Sequence, residues 1–256
     1  MYSLECERAA EIVEWFEAHG MEVGSIDLGG GLGVDYDEPD EKPVPDFEKW
    51  FSIIDKKLRR RPEQSVSIEP GRSMVAQCGS LITRVLFVKS GETKTFLIMD
   101  AGMNDLIRPA LYGAYHKIEN LSAYYVSKSS SDEMKNIEIS KSSSDDRPGP
   151  GICASKYVED AKAARSVRVW DRVPMKNMGP DRPLEKGVQG GLRLYDVVGP
   201  VCESSDVWGE GRELPYSKRG DILAIRSTGA YGSVMSSRYN LRDLAPAVFS
   251  DDLKLK

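Results

Sequence analysis

Histidine is nearly missing from this chain: its 256 residues hold only His19 and His116. A histidine-rich metal centre and a Ser-His-Asp triad are therefore poorly supported. Cysteine is scarce as well. Cys6, Cys78, Cys153 and Cys202 are widely spaced and form no CxxC pair, which gives no metal framework and fits a reducing, cytoplasmic setting. No run approaches the roughly 18 to 20 apolar residues that span a bilayer, so no membrane role is expected. The opening MYSLECERAAEIVEWF lacks a basic stretch followed by an apolar one and does not read as a secretory signal. A basic excess is lacking too, and the net charge of -5 argues against nucleic acid as the main partner. What remains, 40% hydrophobic and 29% charged, is ordinary for a globular protein with apolar material for one large domain or two modest ones.

The first 75 residues alternate helix and strand. Ala9, Ile12, Val13 and Phe16 recur at helical spacing on one face, with Gly20 placed to end the helix. A strand over 23–28 follows. The next helix is expected from Phe47 to about Arg61, capped by Asp46, with Phe47, Trp50, Phe51, Ile54 and Leu58 on one face and Pro62 as its stop. Lys56, Lys57, Arg59, Arg60 and Arg61 read as complement to the helix dipole and as solvated surface. A strand over 65–68 then completes a helix, strand, helix, strand order. That order belongs to a parallel α/β barrel or a doubly wound sheet, and two strands cannot close a barrel, which takes eight.

From residue 76 the rhythm changes. Residues 81–89 and 95–99 suit a hairpin around Ser90-Gly91-Glu92, and 192–198 and 221–226 are also strand-like. Residues 76–256 are thus expected to be a mainly antiparallel β-domain. Within it SKSSSD occurs twice, at 127–132 and 140–145, in a serine-rich charged stretch that cannot bury much apolar surface, so a flexible, disordered insert over about 122–190 is expected.

Two loops carry the chemistry. Gly29-Gly30-Gly31-Leu32-Gly33 follows the first strand, and Glu69-Pro70-Gly71-Arg72 follows the second. Consecutive glycines let the backbone approach a ligand and aim N–H groups at a phosphate, although a tight turn without a ligand uses similar residues. The spacing does not match G-x-G-x-x-G, which disfavours a nicotinamide site. Glu69 can hold a protonated ring nitrogen and Arg72 can fork onto a carboxylate; a surface ion pair uses the same two residues.

Five ordered stretches carry a specific likeness: IDLGGGLGVDY (26–36), IEPGRSMVAQCG (68–79), MDAGMNDLIRPALYGAYHKIENL (99–121), VVGPVCESSD (197–206) and RGDILAIRSTGAYGSVMSSRYN (219–240). On these the chain resembles the diaminopimelate decarboxylases, of the alanine-racemase-like class of pyridoxal-phosphate enzymes that also includes ornithine and arginine decarboxylases. The resemblance implies the C-terminal part of a cofactor-binding (β/α)8 barrel followed by a β-domain. It implies pyridoxal 5'-phosphate held by Gly29, Gly30 and Gly31, with Gly71, Arg72 and Tyr231 nearby, and Glu69 on the pyridine nitrogen. Arg72, Arg108, Tyr112 and Tyr231 would meet the substrate, the first three at its distal carboxylate. Glu203 would meet the distal ammonium, and Cys202 would return a proton to the carbon that loses carbon dioxide. In such enzymes the Cys-Glu pair reaches the site from a neighbouring subunit, so a homodimer is implied. The activity implied is conversion of meso-2,6-diaminopimelate to L-lysine, in lysine biosynthesis.

An arginine and a tyrosine at the distal end suit a second carboxylate, whereas a diamine-forming enzyme wants acidic groups there. None of the lysines here stands in the motif that anchors the cofactor in these enzymes, nor does the chain carry their ring-stacking histidine motif. The chain is therefore expected to be a C-terminal portion, inactive alone. The second reading is a non-catalytic homologue that binds or regulates a complete decarboxylase subunit. An alanine racemase is disfavoured by the CES and RPALY runs.

Overall fold

The computed structural model describes residues 2–41, 43–123 and 191–249. The insert expected over 122–190 lies, from residue 124 onward, outside the described residues, as do the SKSSSD repeats.

Helix α1 spans Tyr2–Ala18, β1 Ser25–Asp27, α2 Phe47–Lys57 and β2 Ser65–Ser67. β1 and β2 pair in parallel, Ile26 opposite Val66, as the alternating order predicts. Asp46 accepts a hydrogen bond from the Lys49 N–H (2.9 Å), so the expected cap forms. Leu58 turns extended, and α2 ends there, short of Arg61. Of the basic cluster, Lys56, Lys57, Arg59 and Arg60 are exposed, as expected, and Arg61 is half-buried. Arg61 pairs with Glu17, Arg59 approaches Glu14 at 3.3 Å, and buried Gln64 donates to the Val23 carbonyl (2.7 Å), which locks the segment after α2 onto α1. Cys6, Val13, Ile26 and Leu58 form the core between helices and strands.

The face of α1 differs from expectation. Cys6, Ala10 and Val13 are buried, while Ile12 is 58% exposed and Phe16 38%. Small Cys6 and Ala10 allow close packing. Ile12, Phe16, Met21 and Val23 instead line an open groove with β1 residues Ser25 to Asp27.

Short helix α3 (Gly71–Val75) leads through a 3-10 turn (76–78) into β3 (Leu81–Ser90). The remaining elements are β4 (Thr95–Met99), α4 (Arg108–Tyr112), β5 (Ile118–Asn120), β6 (Leu192–Val198), β7 (Val207–Pro215) and β8 (Ile222–Ile225). Six strands form one sheet in the order β5-β8-β3-β4-β6-β7. The β3–β4 hairpin closes through Gly91 N–H to the Lys94 carbonyl (2.8 Å). Every neighbour is antiparallel except β4 with β6. The edge strands β5 and β7 also approach one another, and Asn120 Nδ2 donates to Ser217 Oγ (2.8 Å) just after β7. The sheet therefore curls around a core of Val85, Leu97, Met99, Val197, Trp208 and Leu223. All four β8 residues are buried, as a central strand requires.

Candidate functional site

The β1–β2 ladder continues beyond its strands: Leu28 N–H donates to the Ser67 carbonyl (3.1 Å), and Glu69 N–H to the Gly29 carbonyl (2.6 Å). Both loops thus leave the same end of the parallel pair, in contact. Asp27 Oδ1 accepts the Gly29 N–H (2.7 Å) and sets the bend. Gly29 and Gly31 have φ of +66° and +90°, where glycine alone sits easily. Gly30 is required for a different reason. A Cβ there would lie 2.3 Å from the Glu69 carbonyl oxygen, so the loops touch only because it has none. Tyr2 donates to the Gly31 carbonyl (3.0 Å). Among the described residues nothing accepts the N–H groups of Gly30 and Gly31, which leaves them for an anion.

After Glu69 the chain turns into α3. The Glu69 side chain is exposed and Arg72 half-buried. The loop carrying Tyr231 is fastened onto this segment: Thr228 N–H donates to the Gly79 carbonyl (2.9 Å) and Gly229 N–H to the Ala76 carbonyl (3.0 Å). A Cβ on Gly229 would lie 2.0 Å from the Val75 carbonyl oxygen. Tyr231 sits at φ +61° with its ring partly exposed.

Arg108 begins α4, and only 6% of it is exposed. Its guanidinium lies 5.6 Å from the ring centres of both Tyr36 and Tyr231, and Nη1 donates to the Tyr36 hydroxyl (3.2 Å). Arg108 Nε is buried without a partner among the described residues. Behind Tyr36, His116 packs edge to face at 5.0 Å and bonds through Nδ1 to the Arg226 carbonyl oxygen (2.9 Å). Burial, opposed by the Arg226 carbonyl bond and aided by the Arg108 charge, holds this imidazole below its ordinary pKa. Tyr112 closes α4 before the left-handed Gly113 and is exposed. Tyr36 and His116 were not singled out from sequence, although both lie within the family-like stretches.

Cys202 and Glu203 lie on the exposed turn between β6 and β7. Buried Asp206 shapes that turn by accepting the N–H groups of Val201 and Met103 (both 2.7 Å). Its carboxylate fills the space a Cβ on Gly199 would need, and burial pushes its pKa up. Tyr239 donates its hydroxyl to the Glu203 carboxylate, and this bond, with the carboxylate's charge, raises the pKa of the phenol. No hydrogen bond, ion pair or ring contact among the described residues joins Cys202 or Glu203 to Glu69, Arg72, Arg108, Tyr112 or Tyr231. The site residues therefore form two groups.

The first group fits a phosphorylated pyridine cofactor: unclaimed glycine N–H groups for the phosphate, a loop contact that a Cβ on Gly30 would break, and an exposed carboxylate on the facing loop. It also offers a buried guanidinium between two tyrosines, suited to a carboxylate.

The family model described as "Pyridoxal-dependent decarboxylase, C-terminal sheet domain" matches residues 11–145 and 157–229. The chain is 39% identical over 248 residues to diaminopimelate decarboxylase of Bacteroides thetaiotaomicron, covering 97% of this chain and 47% of that protein. Against the Neisseria meningitidis serogroup A enzyme of the same name, identity is 35% over 246 residues, with 96% and 44% covered. The crystal structure of Helicobacter pylori diaminopimelate decarboxylase complexed with L-lysine superposes with a TM-score of 0.58 at 29% identity, over 95% of this chain and 44% of that one. Lysine decarboxylase of Selenomonas ruminantium shares the fold, with a TM-score of 0.62 at 19% identity. The chain spans a little under half the length of the curated relatives it matches. Among the described residues no helix is long and apolar enough to cross a membrane.

Proposed function

The chain belongs to the family of pyridoxal-dependent decarboxylases, whose C-terminal sheet domain it carries, and on that premise we propose that it supplies the C-terminal share of the active site of a diaminopimelate decarboxylase, which converts meso-2,6-diaminopimelate to L-lysine and carbon dioxide. Residues 1–75 are the partial α/β barrel of this reading and residues 76–256 its β-domain. The lysine that anchors the cofactor comes from outside this chain, which is inactive alone.

The observation that carries the reading is the direct contact of the two loops, with Glu69 N–H on the Gly29 carbonyl and Gly30 against the Glu69 carbonyl. The contact joins the glycine backbone to the backbone of Glu69, which supports one shared cofactor site. Pyridoxal 5'-phosphate, when bound, supplies a protonated ring that takes up the electron pair released as carbon dioxide leaves. Gly29, Gly30 and Gly31 bind its phosphate, with Gly71, Arg72 and Tyr231 beside them. Glu69 holds the ring nitrogen in its protonated form. Arg108, buried between Tyr36 and Tyr231, takes the distal carboxylate with Arg72 and Tyr112, where a guanidinium is worth most because water is excluded. Cys202 holds the proton destined for the substrate α-carbon, and Glu203 takes the distal ammonium. The exposed turn that carries them suits delivery into a neighbouring copy's site, so the working unit is a dimer.

The test supplies the chain with the remaining part of a related diaminopimelate decarboxylase as a second polypeptide and measures carbon dioxide release. The reading expects release from meso-diaminopimelate with the cofactor present, none from either part alone, and none from ornithine or arginine. Failure of the assembled pair, or equal use of ornithine, would contradict it.

A further inference from the structure

The bond between Tyr239 and Glu203 is unused by the chemistry above. We infer that Tyr239 is a positioning residue: its hydroxyl fixes the Glu203 carboxylate in the direction from which a substrate ammonium is received. The inference rests on the assignment of Glu203 to the distal ammonium and adds the residue that orients it.

The two side chains belong to separate turns, and both turns are built on the loop that follows β4. On one side Met103 N–H donates to Asp206 (2.7 Å), the buried carboxylate that also holds Val201 and so shapes the Cys202–Glu203 turn. On the other, Ser237 N–H donates to the Asn104 carbonyl (2.9 Å), and Arg242 donates to the Asp100 carbonyl and faces Asp105 (3.8 Å). Tyr239 is thus delivered to Glu203 by anchors on either side of it. Between those anchors the backbone is strained. Asn240 and Leu241 have φ of +55° and +57°, a region leucine rarely adopts. Leu241 is 97% exposed, so the strain gains no packing for it. What the bend does achieve is to seat Tyr239 and Arg242, one on each side.

The chemistry suits the role. A phenol donating to a carboxylate makes a charge-assisted bond, stronger than a neutral one. It occupies Oε1 and leaves Oε2 to accept N–H groups from an ammonium. The titratable groups acting on the phenol are Glu203, first through the hydrogen bond and then through its charge, and Cys202 on the same facing turn, and both raise its pKa.

Two measurements test the inference. The first is ultraviolet titration of tyrosine in the full chain, with Tyr239 isolated as the difference between wild type and Tyr239→Phe. It should ionise above the ordinary value of 10.0, and Glu203→Gln should shift it down. Identical titration with and without the Glu203 charge overturns the inference, whether or not the chain decarboxylates anything. The second uses the assembled decarboxylase. Tyr239→Phe should raise KM for diaminopimelate about tenfold, the worth of a hydrogen bond to a charged group, with kcat within about twofold, and should add nothing to Glu203→Gln. A lower kcat at unchanged KM, or equal effects in both backgrounds, overturns it. If the wild-type assembly releases no carbon dioxide, that counts against the decarboxylase reading, and the titration decides Tyr239.

Discussion

A single Cβ on Gly30 would press 2.3 Å from the Glu69 carbonyl, and that carbonyl is backbone with nowhere to go. Gly30→Ala should therefore separate the two loops at a cost of about 1–3 kcal/mol, visible as a lower unfolding midpoint in urea. The neighbouring positive-φ glycines meet no atom there, so Gly31→Ala should cost through backbone strain alone. His116 makes a different kind of prediction. Its pKa is depressed in the folded chain, so the unfolded chain binds the proton more readily. The stability this residue permits is present above the ordinary histidine value of 6.5 and is lost as pH falls through it toward the folded value. Urea midpoints at pH 7.5 and pH 5.5 should differ, and His116→Gln should shrink the difference; an unchanged difference would show that protonation elsewhere controls it.

At the scale of elements, Asp206 organises the β6–β7 turn. Its replacement by Ala orphans two backbone N–H groups and opens the space against Gly199, so about 3 kcal/mol of destabilisation is expected by thermal unfolding. Proteolysis should then cut first near Cys202. The legibility of each element follows from how local its signal is. The two glycine-bearing loops were readable because each follows a short apolar strand, and Asp46 was readable because a cap needs only its own first turn. The buried face of α1 was not, since Ile12 and Phe16 carry the stronger apolar signal while small Cys6 and Ala10 make the packed contact. β7 escaped notice because two glycines and three charged residues interrupt its alternation, and β5 because three residues carry no period. The parallel pairing of β4 with β6 joins residues about a hundred positions apart and leaves no local trace. For the same reason the Arg108–Tyr36–His116 stack and the Tyr239–Glu203 bond have no local signature in the sequence.

At the scale of the whole molecule, two cores share one chain. The six-stranded sheet curls until its edge strands β5 and β7 approach, whereas the parallel β1–β2 pair has, among the described residues, two strands and an apolar groove along β1. Parallel strands are ordinarily covered on both sides, so an open edge of this kind invites association. Sedimentation velocity should show concentration-dependent self-association that Phe16→Glu reduces; identical profiles for the two proteins would place the association elsewhere. Ion pairs from Glu38 to Lys117 (3.2 Å), just before β5, and from Asp40 to Arg226, just after β8, join the segment after the glycine loop to the β-sheet. The proposed active site binds a phosphorylated pyridine through its glycine loop. Calorimetric titration of the full chain with pyridoxamine 5'-phosphate and with pyridoxamine tests it most directly, because neither ligand carries an aldehyde that surface lysines could capture. The phosphorylated ligand should bind at least about tenfold tighter, the worth of hydrogen bonds to a charged group, and equal affinity for the two would contradict the claim.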